Sequence, residues 1–420
     1  MSTNSPVLSA DPGAPGAAVP YSHELPWPEG LAPFEVVDFE TQADPFAHYA
    51  WMREHAPALR CRTAKEDVWF LSRFDDVRAA LRNPKVYSSA VVDPAPLIFL
   101  TLFDPPEHTR LRQVVAASFT PKAVGRLEDQ IREYGNTYLD ELISSGGGDI
   151  VDGFALRLTM ATISRLLGIP ATEFEQMKIW SDDISSYFGR LARQAPGTPT
   201  DEQGSLEFFD YLKENLERAV HEDDESVGGN IARLWKDGAL TEQEAKHFCA
   251  FLFVAGHETT TALLGNAFIE LSEHPELLQR IRHTPSDAAL FVEELARYRG
   301  TIQRISRITT QDVDVAGCRI PAGSVVKLLP GSANRDDAKF PNASAFDIDR
   351  DTQGHLAFGH GIHSCLGANL AKLEGRISLE LISQKIASVT VDPNEAIGYI
   401  SGGNLANTGP SYLRADLKAV

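Results

Sequence analysis

The chain contains 420 residues, 43% of them apolar and 23% charged, which is the composition of an ordinary globular protein. Its formal net charge of −19 argues against a nucleic-acid partner, because acidic surfaces and phosphate backbones repel each other. The four cysteines, at positions 61, 249, 318 and 365, lack C-x-x-C spacing. That pattern argues against a zinc site or a disulfide framework and favours a reducing, cytoplasmic compartment.

The first 33 residues are rich in Pro, Ala, Gly and Ser and lack the basic segment and apolar core of a signal peptide. No stretch reaches the roughly 20 apolar residues that a membrane helix needs. We therefore expect a disordered leader over residues 1–33, a single domain over residues 34–420, and no association with a membrane.

The remaining pattern predicts a mainly α protein with a small β region. Apolar periodicity and turn residues predict helices over 46–54 and 74–81, a strand over 68–71, a long helix over 248–271, and strands over 313–315 and 324–329. Residues 88–103 form an apolar segment broken by Pro94 and Pro96, and such a segment needs a core or a ligand to cover it.

The long predicted helix carries A-G-H-E-T-T at residues 255–260. Glycine and β-branched threonine both oppose helix formation, and such conflicts are expected where function overrides folding. Glu258 places an acid directly before the hydroxyl of Thr259. Taken alone, the segment is more typical of a helix that packs through small residues.

Residues 358–367 read F-G-H-G-I-H-S-C-L-G. Glycines allow tight turns and a close approach of the backbone to a flat ligand. Cys365 would stand at the mouth of a helix beginning near Leu366, where backbone amides and the helix dipole favour a thiolate, with a cationic His363 beside it. A solitary cysteine is ordinarily a small buried apolar residue, but this joint spacing favours a metal ligand.

At these residues the chain resembles the bacterial cytochromes P450, soluble enzymes whose haem-binding signature is F-G-x-G-x-H-x-C-x-G. The resemblance runs almost end to end and implies the cytochrome P450 fold with heme b (iron protoporphyrin IX), whose iron Cys365 would bind. Phe358, Gly359 and Gly367 are the further signature positions. In the helix, Ala255 and Gly256 would leave room for dioxygen, Thr259 would hydrogen-bond it, and Glu258 would relay protons.

Other positions acquire roles through the same resemblance. Glu294 and Arg297 match the structural E-x-x-R pair, which locks onto the segment containing Asn334 and Arg335. The residues expected to contact the haem propionates are His108, Arg112, Arg307, His355 and His363.

The resemblance also indicates where a substrate would lie, although any one of these residues is equally explained as ordinary core. The pocket candidates are Leu97, Ile98, Phe99, Phe251, Val254, Ala255, Ile302, Gln303 and Ile305, with a closing turn around Gly402, Gly403 and Asn404. Gln303 is the main polar candidate. No carboxylate-binding Arg or Ser is evident, so a small neutral hydrophobic substrate is preferred over an acid.

The implied activity is insertion of one oxygen atom of dioxygen into a C–H bond, with O-dealkylation and epoxidation as variants of that reaction. Electrons would come from a separate ferredoxin and ferredoxin reductase, because the chain carries no flavin domain or G-x-G-x-x-G segment. An acidic ferredoxin would dock on a basic patch of Arg110, Lys122, Arg126 and Lys372. The alternatives are a peroxide-driven peroxygenase, whose members typically lack the acid–alcohol pair, and a non-enzymatic haem carrier or sensor.

Overall fold

The computed structural model describes residues 19–34, 44–63, 66–91, 98–170, 173–193, 199–222, 224–399 and 408–420. The α-helices in these ranges are α1 (Phe46–His55), α2 (Phe74–Leu81), α3 (Glu107–Val115), α4 (Pro121–Val124), α5 (Glu128–Ser144), α6 (Leu156–Leu167), α7 (Phe174–Arg193), α8 (Pro199–His221), α9 (Val227–Lys236), α10 (Glu242–Glu273), α11 (Glu276–His283), α12 (Asp287–Tyr298), α13 (Pro330–Ala333) and α14 (Ala368–Lys385).

The strands are shorter than most of the helices and contain fewer residues in total. They are β1 (Ala58–Arg62), β2 (Asp67–Leu71), β3 (Tyr87–Ser88), β4 (Gly147–Asp149), β5 (Ile305–Thr309), β6 (Val313–Val315), β7 (Cys318–Ile320), β8 (Val325–Leu328), β9 (Ile386–Val391), β10 (Gly398–Tyr399), β11 (Pro410–Tyr412) and β12 (Arg414–Ala419). The expected mainly α fold with a small β region is confirmed.

The largest sheet has the strand order β1-β2-β8-β5-β3. β1 and β2 form an antiparallel pair, β8 runs parallel to β2, and β5 runs antiparallel to β8. Buried and exposed side chains do not alternate along β2. Val68 to Leu71 are all buried, so both faces of this strand are covered. The sheet lies beside α2 and carries Arg307 on β5 towards the site described below.

Helix α10 runs through the core and positions the site. It begins with a capping box in which Thr241 accepts from the Glu244 amide and Glu244 accepts from the Thr241 amide. Apolar residues occur on all sides of α10, as expected for a helix that is buried all round. It packs against α6, α8 and α14.

Two expectations about the ends and the membrane differ from the structure. Residues 19–34 are packed where they are described: Tyr21 bridges Arg60, Trp27 stacks on Trp51 at 4.0 Å between ring centroids, and Phe34 is buried. The predicted leader boundary at residue 33 is therefore wrong, and its first 18 residues lie outside the described ranges.

The prediction that no segment is long and apolar enough to span a membrane is also wrong, because α10 meets that test. However, 78% of its most apolar window is buried inside the fold, as in the core helix of a soluble protein.

Residues 358–367, which contain Cys365, are called the cysteine loop below. A buried ion pair joins α12 to the segment that precedes this loop. Arg297 donates to both carboxylate oxygens of Glu294 at 2.7 Å, and neither side chain is exposed. The same guanidinium donates to the carbonyl oxygens of Asn334 at 2.7 Å and Ala343 at 2.9 Å. The planar guanidinium thus satisfies several backbone acceptors that no water reaches.

Replacement of Arg297 by methionine is expected to lower the free energy of unfolding by about 3–5 kcal/mol, because the buried Glu294 loses its bidentate partner and keeps only Arg350, at 3.3 Å, as a cation. Urea unfolding, followed by circular dichroism and haem absorbance, measures this. Arg319→Met is the matched control, since Arg319 pairs with Asp312 on the surface and is 66% exposed. An unchanged unfolding midpoint in Arg297→Met would contradict the structural role of the pair.

Candidate functional site

The cysteine loop is closed by its own main chain. The Cys365 amide donates to the carbonyl oxygen of Phe358 at 2.7 Å. Gly359 and Gly361 have φ angles of +68° and +73°, a region that favours glycine. A Cβ atom on Gly361 would lie 2.5 Å from the carbonyl oxygen of Leu81, so the loop meets the end of α2 only with glycine there.

Cys365 has an enclosed but accessible side chain. Protein atoms surround the thiol on nearly every side, yet it retains solvent-accessible surface, so that surface faces an internal space. Burial raises the pKa of the thiol above its ordinary value, and this effect exceeds the lowering by the Gly367 and Ala368 amides and by the Arg112 and Lys372 charges. The amides lie at the start of α14 as predicted and favour the thiolate, but their effect on the pKa is smaller than that of burial.

A cluster of basic groups lies beside the loop. The rings of His108 and His363 approach to 4.2 Å between centroids, and Arg112 donates to the Ser364 carbonyl oxygen at 2.8 Å. Burial, together with the charges of Arg307, His108 and Arg112, lowers the pKa of His363 to about 3. His363 is therefore neutral near pH 7, and the prediction of a cationic His363 is wrong.

This cluster is short of negative charge. Burial lowers the pKa of Arg307 to about 10, and Asp104 is the acid whose charge raises it. The Nε2 atom of His108 is buried and has no hydrogen-bond partner. A buried guanidinium and an unpartnered imidazole nitrogen together fit an anionic group.

His355 does not join this cluster. Its Nε2 atom is 3.0 Å from Glu293 Oε2, and its Nδ1 atom accepts from the Ala357 amide at 3.2 Å. Both ring nitrogens thus have protein partners. The assignment of His355 as a propionate contact stays a prediction.

The residues present fit the haem that the signature implies. Cys365 offers a soft sulfur ligand, which metal binding would deprotonate despite its raised pKa. A Cβ atom on Gly367 would meet no protein atom within 4 Å, so a flat ligand can approach the backbone there. Arg307, Arg112 and His108 supply donors for two carboxylates. Phe358 is half-buried, with Lys372 Nζ 4.9 Å from its ring centroid.

Residues 255–260 lie in the middle of α10. The Thr259 hydroxyl donates to the Ala255 carbonyl oxygen at 3.0 Å, a back-bond to the residue four positions earlier. Glu258 Oε1 accepts from the Ser185 hydroxyl of α7 at 2.5 Å. Burial raises the pKa of Glu258 to about 7, although part of the side chain stays accessible, so it faces an internal space as Cys365 does.

Gly256 serves a packing purpose that the sequence did not reveal. A Cβ atom there would lie 2.6 Å from Ile163 Cδ1 and 2.8 Å from its Cγ1. The glycine therefore allows α6 to approach α10, which differs from the expectation that it makes room for dioxygen. Ala255, which is half-buried, stays compatible with that expectation.

Five of the predicted pocket residues meet in one apolar cluster. Phe99 and Phe251 approach to 5.3 Å between ring centroids, and Val254, Ile98 and Ala255 pack in the same cluster. Leu366, the residue after Cys365, packs against it as well. The apolar cluster is thus next to the cysteine loop.

Other predicted pocket residues lie elsewhere or outside the description. Ile305 packs against the core of the large sheet, and Ile302 is half-buried. Gln303 is buried, donates to the Gly300 carbonyl oxygen at 2.5 Å and lies against Gly331, so it is placed as a core residue. Leu97 and the turn at residues 402–404 fall outside the described ranges.

Sequence reasoning missed several polar residues that the structure brings to α10. Ser181 is hydrogen-bonded to His257 at 3.2 Å, and Ser185 to Glu258. His247 Nδ1 accepts from the Ile98 amide at 3.1 Å, which ties the segment before α3 to α10. The spacing of four between Ser181 and Ser185 was the available signal, because such residues share one helix face.

Comparisons with known proteins agree with this arrangement. A sequence profile described as Cytochrome P450 matches residues 208–284 and 289–395. The cytochrome P450 monooxygenase PikC of Streptomyces venezuelae is 34% identical over 374 residues, which span 85% of this chain and 88% of PikC. The vitamin D(3) 25-hydroxylase of Pseudonocardia autotrophica is 33% identical over 351 residues, which span 80% of this chain and 85% of that enzyme.

Solved structures show the same fold. The crystal structure of CYP109E1 from Bacillus megaterium, in complex with testosterone, aligns with a TM-score of 0.80 at 29% identity and covers 91% of this chain and 99% of that one. Because enzymes more than 30% identical align with 80% or more of the chain, the protein belongs to the cytochrome P450 family and is a haem-thiolate monooxygenase of the bacterial type.

Proposed function

We propose that the protein hydroxylates a small neutral hydrophobic molecule, with dioxygen as the oxygen source and a separate ferredoxin and ferredoxin reductase as the electron donors. O-dealkylation or epoxidation would use the same site. The observation that carries the proposal is that the Cys365 loop lies next to the apolar cluster. Leu366, the residue after Cys365, packs against this cluster, and so does Ala255 of α10. We further propose a cytoplasmic location, which the four free cysteines support.

Cys365 would bind the iron of heme b, and Arg307, Arg112 and His108 would hold its propionates. When bound, the haem supplies the binding and reductive activation of dioxygen. The chain's part is to keep the thiolate anchored: the Phe358 carbonyl fixes the Cys365 amide, and the Gly367 and Ala368 amides point at the sulfur. These donors limit the electron density that the sulfur gives to the metal.

Glu258 and Thr259 would deliver protons. With a pKa near 7, the Glu258 carboxyl carries a proton in much of the population at neutral pH and can still release it. The Thr259 hydroxyl donates to the Ala255 carbonyl, which leaves its oxygen lone pairs free to accept from a donor on the substrate side.

The apolar cluster would hold the substrate. Ile98, Phe99, Phe251 and Val254 carry no charge, and a carboxylate buried among them would lack a cation. Burial of a carboxylate also removes the water that stabilises its charge, whereas a neutral molecule carries no such charge. We therefore favour a neutral substrate.

The ferredoxin would dock near the outer side of the cysteine loop. A cavity of about 230 Å³ there is lined by residues of α4, α12 and α14. Among them are Lys372, which pairs with Glu293 at 2.6 Å, and Arg376, which pairs with Glu128 and Glu380, so these two cations are partly neutralised. Lys122 and Arg126 are exposed beside it. Arg110 differs from the expectation, since Glu107 and Glu244 both pair with it and neutralise its charge.

Cys365→Ser is expected to abolish the red-shifted Soret band of the reduced, CO-bound protein, because an oxygen ligand donates less electron density to iron. Activity should be lost even where haem stays bound. Cys318→Ser on β7 is the matched control and should keep the band. A Cys365→Ser protein with the band and the activity intact would contradict the ligand assignment.

Thr259→Ala is expected to bind substrate normally while most NAD(P)H is consumed to form hydrogen peroxide. Acid–base assistance contributes roughly 10²–10⁴-fold to rate, so product formed per NAD(P)H should fall visibly. Thr259→Ser should restore coupling, and Thr260→Ala is the buried neighbour that should leave it unchanged. Full coupling in Thr259→Ala would return Thr259 to the role of a packed helix residue.

Neutral ligands are expected to convert the haem from low to high spin at lower concentration than acids do. Testosterone and vitamin D3 are suitable probes because one similar structure is a complex with testosterone and one relative is named a vitamin D(3) 25-hydroxylase. The decisive pair is methyl palmitate against palmitate, which share the acyl chain and differ in the charge and in one methyl group. We expect at least roughly tenfold tighter binding of the ester, since an unpaired buried carboxylate is costly. Tighter binding of palmitate would contradict the neutral substrate class.

Reduction of the protein by an acidic [2Fe–2S] ferredoxin is expected to slow as ionic strength rises, because opposite charges steer the encounter. Lys122→Glu and Arg126→Glu should each slow it further, whereas Lys418→Glu on β12 should not.

A rate independent of salt would contradict the docking surface. Turnover with hydrogen peroxide that equals turnover with ferredoxin would favour the peroxygenase, and ligand binding without NAD(P)H consumption would favour a carrier or sensor.

A further inference from the structure

Helix α7 contacts the acid–alcohol segment of α10 through two hydroxyls. Ser181 and Ser185 are four residues apart, so both face α10, where they meet His257 and Glu258. These neighbouring residues of α10 have different chemistry. His257 is buried and neutral, while Glu258 is the acid of the proposed proton path.

The contact with His257 is structural. The His257 Nδ1 atom lies 2.8 Å from the Phe253 carbonyl oxygen, to which it can only donate. Nε2 is then the acceptor, and the Ser181 hydroxyl donates to it at 3.2 Å. Burial lowers the pKa of His257 to about 4, so the ring stays neutral and this hydrogen bond does not change near pH 7.

The contact with Glu258 is of another kind, because its partner changes protonation state. A hydroxyl donates one hydrogen bond and accepts others. Ser185 can therefore donate to the Glu258 carboxylate and, after rotation of its O–H bond, accept from the carboxylic acid. It holds the carboxyl in one place in both states.

One charge that acts on Glu258 comes from the same helix. Asp182 is exposed, and its charge raises the pKa of Glu258, while the Ser185 hydrogen bond lowers it. Lys178 and Asp183 in turn act on Asp182 with opposite sign. One face of α7 thus carries both a donor that favours the Glu258 carboxylate and a charge that disfavours it.

We propose that Ser185 is a positioning residue for Glu258: its hydroxyl orients the carboxyl for proton transfer towards Thr259. The proposal rests on the proposed function of Glu258. It makes α7 part of the proton-delivery apparatus, in addition to its place in the fold.

The test measures the Glu258 carboxyl in the ferric holoenzyme by infrared difference spectroscopy across pH, with the band assigned by its loss in Glu258→Gln. Ser185→Ala should shift the band and raise the pKa by about one unit, because the hydrogen bond to the charged form is gone. Asp182→Asn should lower the pKa. Ser185→Thr keeps the hydroxyl and should restore the wild-type value.

Ser181→Ala is the matched control, since it removes the neighbouring α7 hydroxyl but leaves the Glu258 partner. It should leave the Glu258 band and pKa unchanged. Product formed per NADPH, measured with testosterone as the probe, should fall several-fold in Ser185→Ala and recover in Ser185→Thr.

An unshifted band and pKa in Ser185→Ala would overturn the proposal. So would an equal shift in Ser181→Ala, which would show a general displacement of α7. If Glu258→Gln retains full product formation per NADPH, the proposed function of Glu258 fails, whereas the infrared result still decides whether Ser185 positions the carboxyl.

Discussion

The buried charge of Arg297 is the constraint on which the cysteine loop depends. Arg297 is held by Glu294 and donates to the Asn334 carbonyl. The Asn334 side chain in turn accepts from the Leu356 amide at 2.6 Å, and the Leu356 carbonyl accepts from the Gly359 amide at 2.9 Å. A continuous set of hydrogen bonds therefore runs from α12 to the loop that carries Cys365.

Burial is the dominant effect on the ionisable groups of the site. It raises the pKa of Cys365 and of Glu258 and lowers that of His363 and Arg307. Each shift disfavours the charged form of its group. A metal would stabilise the thiolate of Cys365 against this effect, while Arg307 stays charged at neutral pH and would pair with carboxylates of the cofactor. Glu258 differs because a pKa near 7 suits a group that must gain and lose a proton.

Local patterns predicted much of the fold. Helix α2 and strand β6 have the predicted bounds, because their apolar periodicity and flanking turn residues are strong. Helix α10 extends six residues further at its start than predicted, since the capping box at Thr241 supplies a start signal outside the apolar run. The packing of residues 19–34 was missed because composition reports average polarity and not the few aromatic contacts, such as Trp27 on Trp51, that fix a segment.

The site was predicted where the spacing itself carries the chemistry, as in residues 358–367. The sequence did not predict where a side chain is instead engaged by another protein group. The carboxylate of Glu293 is hydrogen-bonded to His355, and Gly331 leaves space for Gln303 in the core. Glu107 and Glu244 form ion pairs with Arg110. Apart from Glu107, which lies three positions from Arg110, these partners lie 28 to 134 positions away in the chain, so no local pattern reveals them. The Ser185–Glu258 contact was missed for the same reason.

The central claim is that Cys365, held by this hydrogen-bonded loop, is the sulfur ligand of a haem iron. X-ray absorption at the iron edge of the resting wild-type protein tests it most directly. The account predicts one sulfur atom in the first coordination shell of the iron, beside the four porphyrin nitrogens. A first shell containing only nitrogen and oxygen would contradict it.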